Sequence, residues 1–144
     1  MKQTLIVGSL IIAAFLAGNA ISSKSSKNGT PQVQGVTQQV SSLAPSQFNE
    51  LLQTNNYVLL DIRTADEYTA GHIKSSKQID YYQTQAFSDY LDTLDKKGKY
   101  LIYCRTGKRS SAALQIMQSK GFENTTELSG GYSAWTTAGL PITK

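Results

Sequence analysis

Along the chain, apolar runs of strand length alternate with stretches in which apolar residues recur every third or fourth position. A short strand is expected near Val40, then a helix begun by Ser46 that carries Phe48, Leu51 and Leu52 on one face. The compact run Tyr57-Val-Leu-Leu-Asp-Ile62 reads as a strand and leads into charged turn residues. The alternation resumes with a helix around Phe87 to Leu94, a strand Tyr100–Tyr103, a helix from Ser110 to Lys120 closed by Gly121, and a strand near Thr125–Leu128. A last helix covers Tyr132–Thr137. Strands and helices alternating in this way predict an α/β domain over residues 40–144, a small parallel β-sheet with helices on both faces. Ligand sites in such sheets form where loops leave the carboxyl ends of strands. Asp61-Ile-Arg63 and the segment from Cys104 onward qualify, since each follows an apolar run directly.

The N-terminus departs from this pattern. Lys2 precedes an uncharged apolar run from Leu5 to Ala17, followed by the small residues Gly18 and Ala20. This is the layout of a secretory signal peptide over residues 1–20, cleaved after Ala20. The uncharged stretch to Ile21 approaches the roughly 20 residues of a membrane span, so an uncleaved anchor is the second reading. Residues 21–39, rich in Ser, Gln, Gly and Lys and without aromatic residues, read as a flexible linker. The expected location is therefore periplasmic or extracellular, with membrane contact only if residues 1–20 are retained.

Composition narrows the chemistry. A chain of 144 residues with 40% hydrophobic and 17% charged content has the material for one core, and not for two full domains. Its 14 basic and 10 acidic residues give a formal charge of +4, but the lysines are scattered and form no stripe of the kind that nucleic-acid binding needs. One Cys, Cys104, and one His, His72, exclude an intramolecular disulfide framework and the usual Cys/His zinc site. The only arginines are Arg63, Arg105 and Arg109, two of them within five positions of Cys104.

The segment Tyr103-Cys-Arg-Thr-Gly-Lys-Arg-Ser-Ser111 sets the thiol between a strand end and a helix start. Successive N–H groups of such a turn, with the unpaired N–H groups of the helix's first turn, converge on one point and stabilise negative charge there. A thiolate is such a charge; these settings lower a cysteine pKa from near 8.5 to roughly 3.5–7.5. Arg105, Lys108 and Arg109 supply cations, Gly107 permits positive φ, and Ser110 is suited to cap the helix. An inert core cysteine would not be wrapped in such a loop. Arg63, with Asp61, Asp66 and Glu67 close in sequence, is expected to form a structural salt-bridge network, which gives Asp61 and Arg63 supporting roles. His72 is expected to make a structural hydrogen bond, Tyr132 and Trp135 to pack into the core, and Gly130-Gly131 to make a tight turn.

Taken in order, these residues resemble the rhodanese-like sulfurtransferases. Cys104-Arg-Thr-Gly-Lys-Arg109 is similar to that family's active-site loop. Asp61-Ile-Arg63 with Glu67-Tyr68 and Gly71-His72-Ile73 resembles its upstream motif, and Leu128-Ser-Gly-Gly-Tyr-Ser-Ala-Trp135 its C-terminal one. The resemblance implies a single rhodanese domain in which Cys104 becomes a persulfide. The donor would be thiosulfate or a similar anion, and the acceptor cyanide or a thiol, including a protein thiol. Arg105, Thr106, Gly107, Lys108 and Arg109 would form the substrate-binding loop. No metal or organic cofactor, no nucleic acid and a monomeric state are expected. The loop from Cys104 to Arg109 has six residues, the length associated with sulfur transfer in the family, whereas related phosphatases and arsenate reductases have one more. The stretch Lys74-Ser-Ser-Lys-Gln-Ile-Asp80 departs from the family pattern, which places acceptor specificity in question. Two rival readings follow: a tethered module that carries sulfur to one partner without multiple turnover, and a Cys-dependent phosphatase or arsenate reductase.

Overall fold

The computed structural model describes residues 39–144, in which ten elements follow one another. They are β1 (Gln39–Leu43), α1 (Pro45–Gln53), β2 (Val58–Asp61), α2 (Ala65–Ala70), β3 (Lys77–Gln78), α3 (Thr84–Thr93), β4 (Lys99–Tyr103), α4 (Lys108–Ser119), β5 (Asn124–Leu128) and α5 (Gly131–Thr137). The expected signal segment 1–20 and residues 21–38 of the expected linker lie outside the described residues. Gln39, expected as linker, opens β1.

The five strands form one sheet in the order β1-β5-β4-β2-β3, and every neighbouring pair is parallel. Side chains alternate across it. Leu60, Ile62, Tyr100, Ile102 and Cys104 face Phe87 and Leu91 of α3 and Ala113, Leu114 and Met117 of α4. Leu59, Leu101, Tyr103 and Leu128 face Phe48 of α1 and Trp135 of α5. Apolar residues of both parities explain why β2 and β4 read as continuous apolar runs: a strand covered on both faces has no polar side. The expected α/β architecture is the observed one.

The differences lie at element ends and in the short elements. Helix α1 starts at Pro45, whose fixed φ and missing N–H suit a first helical position, so Ser46 does not begin it. Helix α2 occupies the expected charged turn. Thr64 accepts from the Glu67 N–H at 3.3 Å and Glu67 accepts from the Thr64 N–H at 3.1 Å, a complete capping box. The unusual stretch Lys74–Asp80 turns at Ser75, whose φ is 67°, and then forms the short edge strand β3 beside β2.

From β2 the chain adds β3 on one side and then crosses to place β4 on the other. The order reverses between β2 and β4, and the crevice beyond their carboxyl ends is where a parallel sheet places a ligand.

Candidate active site

The backbone directly after β4 curls around the Cys104 sulfur. Gly107, with φ 95°, takes the N-cap position of α4 in the left-handed region, and its N–H points at Sγ from 3.1 Å. This corrects the expectation for Ser110, which does not cap the helix. Ser110 lies in the first turn, fully buried, with Oγ 3.6 Å from Sγ. Burial acts to raise the Cys104 pKa. It is outweighed by donors aimed at the sulfur, among them the N–H groups of Ser110, Thr106 and Gly107, so the thiol lies below its ordinary value.

The carbonyls of the same loop are turned away and held by α5. The Tyr132 N–H donates to the Cys104 carbonyl at 2.8 Å and the Ser133 N–H to the Arg105 carbonyl at 2.9 Å. Gly130 and Gly131, with φ of 70° and 60°, make the expected tight turn and bring α5 this close. The loop thus gives its N–H groups to the sulfur and its oxygens to a neighbouring helix.

Two ion pairs brace the site. Arg109 forks onto Glu67 with two bonds of 2.9 Å, so Arg109 ties α4 to α2. That guanidinium holds the Glu67 carboxyl down at about 2. Arg63 pairs with buried Asp61 at 2.6 Å, donates to the Gly71 carbonyl at 2.8 Å, and lies 4.0 Å from the centre of the Tyr132 ring. The expected network around Arg63 is therefore corrected: Glu67 belongs to Arg109, and exposed Asp66 takes no part, because α2 turns the two acidic side chains apart. Tyr132 is half-buried and packs against the edge of the core with its ring over Arg63; Trp135 is buried, its indole N–H donating to the Pro141 carbonyl at 2.9 Å. His72 stacks on Tyr68 at 3.8 Å, and its Nδ1 lies 3.1 Å from the Tyr68 carbonyl, a structural arrangement.

Around the loop, Arg105, Thr106 and Lys108 are exposed. Two clefts meet there. One of about 380 Å³ is lined by Arg63, Glu67, Arg105 and Tyr132, the other of about 350 Å³ by Tyr82, Arg105, Lys108 and Arg109. The structure thus gathers Cys104 to Arg109 into one cradle, with Asp61 and Arg63 beneath a neighbouring cleft. Sequence reasoning missed two participants, Glu67 as the partner of Arg109 and Glu127 behind Ser110. The T-x-x-E capping box ties Glu67 to Thr64 and says nothing of Arg109, and for Glu127 the one sign was a carboxylate inside a strand.

One cysteine held among N–H donors at the switch point of a parallel α/β sheet makes a site that stabilises negative charge on sulfur. Residues 44–138 match the rhodanese-like domain, and the chain belongs to that family. The thiosulfate sulfurtransferase GlpE of Actinobacillus succinogenes is 26% identical over 100 residues, covering 69% of this chain and 87% of that protein. The tRNA uridine(34) hydroxylase of Chlamydia trachomatis is 31% identical over 104 residues, covering 69% of this chain but 32% of that protein. A rhodanese-related protein from Thermoplasma volcanium superimposes with a TM-score of 0.63 at 25% identity, covering 72% of this chain and 97% of the other. The relatives carry different activities in their names, so the reaction has to be argued from the site.

Proposed function

We propose that the protein is a sulfurtransferase working through a persulfide on Cys104. The thiolate attacks the outer sulfur of thiosulfate or a similar donor. An S–S bond forms to Sγ, the donor's own S–S bond breaks, and sulfite departs with the bonding pair. The outer sulfur then passes to cyanide or a thiol and Cys104 recovers its electron pair. The observation that carries this reading is the six-residue ring from Cys104 to Arg109 with its N–H groups aimed at Sγ. Fixed dipoles of this kind stabilise charge as it shifts between thiolate, persulfide and leaving group. Arg105 and Lys108, exposed at the rim, attract the anionic donor, while Arg109 is engaged with Glu67 and holds the loop. Cys104 is 0% exposed, so rim side chains must shift for the donor to reach it.

The protein acts outside the cytoplasm in this reading, supported by Lys2 and the apolar run Leu5–Ala17. An exported thiol then depends on a reductant or on rapid persulfide chemistry to escape oxidation. Steady-state thiosulfate:cyanide turnover is the direct test. Turnover by the wild type and its abolition in a folded Cys104→Ser variant are expected. One-time sulfur labelling without turnover would instead assign a carrier, and Cys104-dependent hydrolysis of an aryl phosphate would contradict the sulfur reading.

A further inference from the structure

Glu127 is a buried carboxylate that the sulfur-transfer reading leaves unused. It lies in β5, 7% exposed, in register with Ile102 of β4 and Ser42 of β1. Among the described residues no Lys or Arg forms an ion pair with it. Two hydroxyls of α4 donate to it instead: Ser110 Oγ to Oε2 at 2.8 Å, and Ser111 Oγ to the two oxygens at 2.9 and 3.1 Å. A carboxylate withdrawn from water without a cation is costly, and two hydroxyl donors offset this only in part.

Ser110 Oγ also lies 3.0 Å from the Gly107 carbonyl oxygen and 3.6 Å from Cys104 Sγ. It has one hydrogen for three acceptors. An ionised carboxylate at the shortest distance takes that hydrogen, and the hydroxyl then turns its lone pairs toward the sulfur. Those lone pairs accept an S–H and repel a thiolate. With an uncharged amide in place of the carboxylate, as in Glu127→Gln, the Ser110 hydrogen is released to swing to Sγ and hold the thiolate.

We propose that Glu127 is a positioning residue whose carboxylate fixes the rotation of the Ser110 hydroxyl and thereby sets how readily Cys104 gives up its proton. The use of this coupling rests on the sulfur-transfer reading. Loading a sulfur moves the charge from Sγ to the outer sulfur, away from Glu127, and so favours the persulfide.

The other ionisable groups around the line are Arg109 of α4, whose charge bears on Cys104 and which is paired with Glu67 of α2, and the rim cations Arg105 and Lys108. Toward β4 and β1 the register neighbours Ile102 and Ser42 do not ionise. None of these changes when Glu127 is replaced.

The test is the pH dependence of thiolate formation in the full chain, followed by ultraviolet absorbance and by the rate of iodoacetamide alkylation. In Glu127→Gln, about tenfold more thiolate is expected at a given pH below the midpoint. In a Ser110→Ala background the same replacement should gain no more than about a third as much. An unchanged or reduced thiolate fraction, or an equal gain in both backgrounds, would overturn the coupling. Should Glu127→Gln not fold, carbon NMR of the wild type decides: the Glu127 carboxyl resonance moves on alkylation of Cys104, and a resonance that stays in place refutes the proposal. Neither readout involves sulfur transfer, so failure of thiosulfate to load the protein leaves this result standing and counts against the function alone.

Discussion

Glu67 and Arg109 stand 42 positions apart and meet through a two-bond fork whose side chains are 22% and 14% exposed. The Arg109 guanidinium draws the Glu67 carboxyl from 4.5 down to about 2. A carboxyl depressed by folding adds stability above its unfolded pKa, and that stability is lost as pH falls through the folded one. The window here runs from about 4.5 to about 2. The wild type is therefore expected to lose more stability than Glu67→Gln across that window in urea unfolding, by at most about 3 kcal/mol and less because the pair is partly wet. Parallel curves for the two proteins would contradict the pair's role. The residues of the cradle from Cys104 to Arg109 were legible in the sequence because they are contiguous, and a strand end, a glycine and a helix start fix their geometry locally. Glu67 and Glu127 were not, since no local pattern states which distant cation or hydroxyl a carboxylate will meet.

The contact of α5 with the loop after β4 is a backbone contact, and glycine permits it. A Cβ placed on Gly131 would stand 2.5 Å from the Cys104 carbonyl oxygen and 2.7 Å from the Arg105 carbonyl carbon, and the φ of 60° is strained for any other residue. Gly131→Ala should lower stability by about 2–4 kcal/mol and displace the cradle, reducing activity as well. Denaturation and thiosulfate turnover measured together check this, and a variant with wild-type values in both would show that the close approach is dispensable. The longer elements were readable from their apolar spacing to within a few residues. Helix α2 was not, because its six residues contain one large apolar side chain, Tyr68, and none is buried. The start of α4 was misplaced because a left-handed Gly107 takes the capping position, while the hydroxyl that resembles a cap in sequence faces the sulfur and Glu127.

Across the whole molecule, the sheet order places the loops after β2 and β4 side by side, so that Arg63 and Cys104, far apart in sequence, share one end of the domain. Alternating strands and helices predict the parallel sheet, but the strand order depends on which crossovers pack well, and no single segment records it. The cradle at the switch point has room for charge at one sulfur and donors fixed around it, and in the proposed reaction this sulfur carries another. Intact-mass spectrometry of the wild type and Cys104→Ser, before and after thiosulfate, is the decisive test. The wild type alone is expected to gain one sulfur atom, reversed by cyanide. No gain by a folded protein with a reduced thiol, or an equal gain by Cys104→Ser, would contradict it.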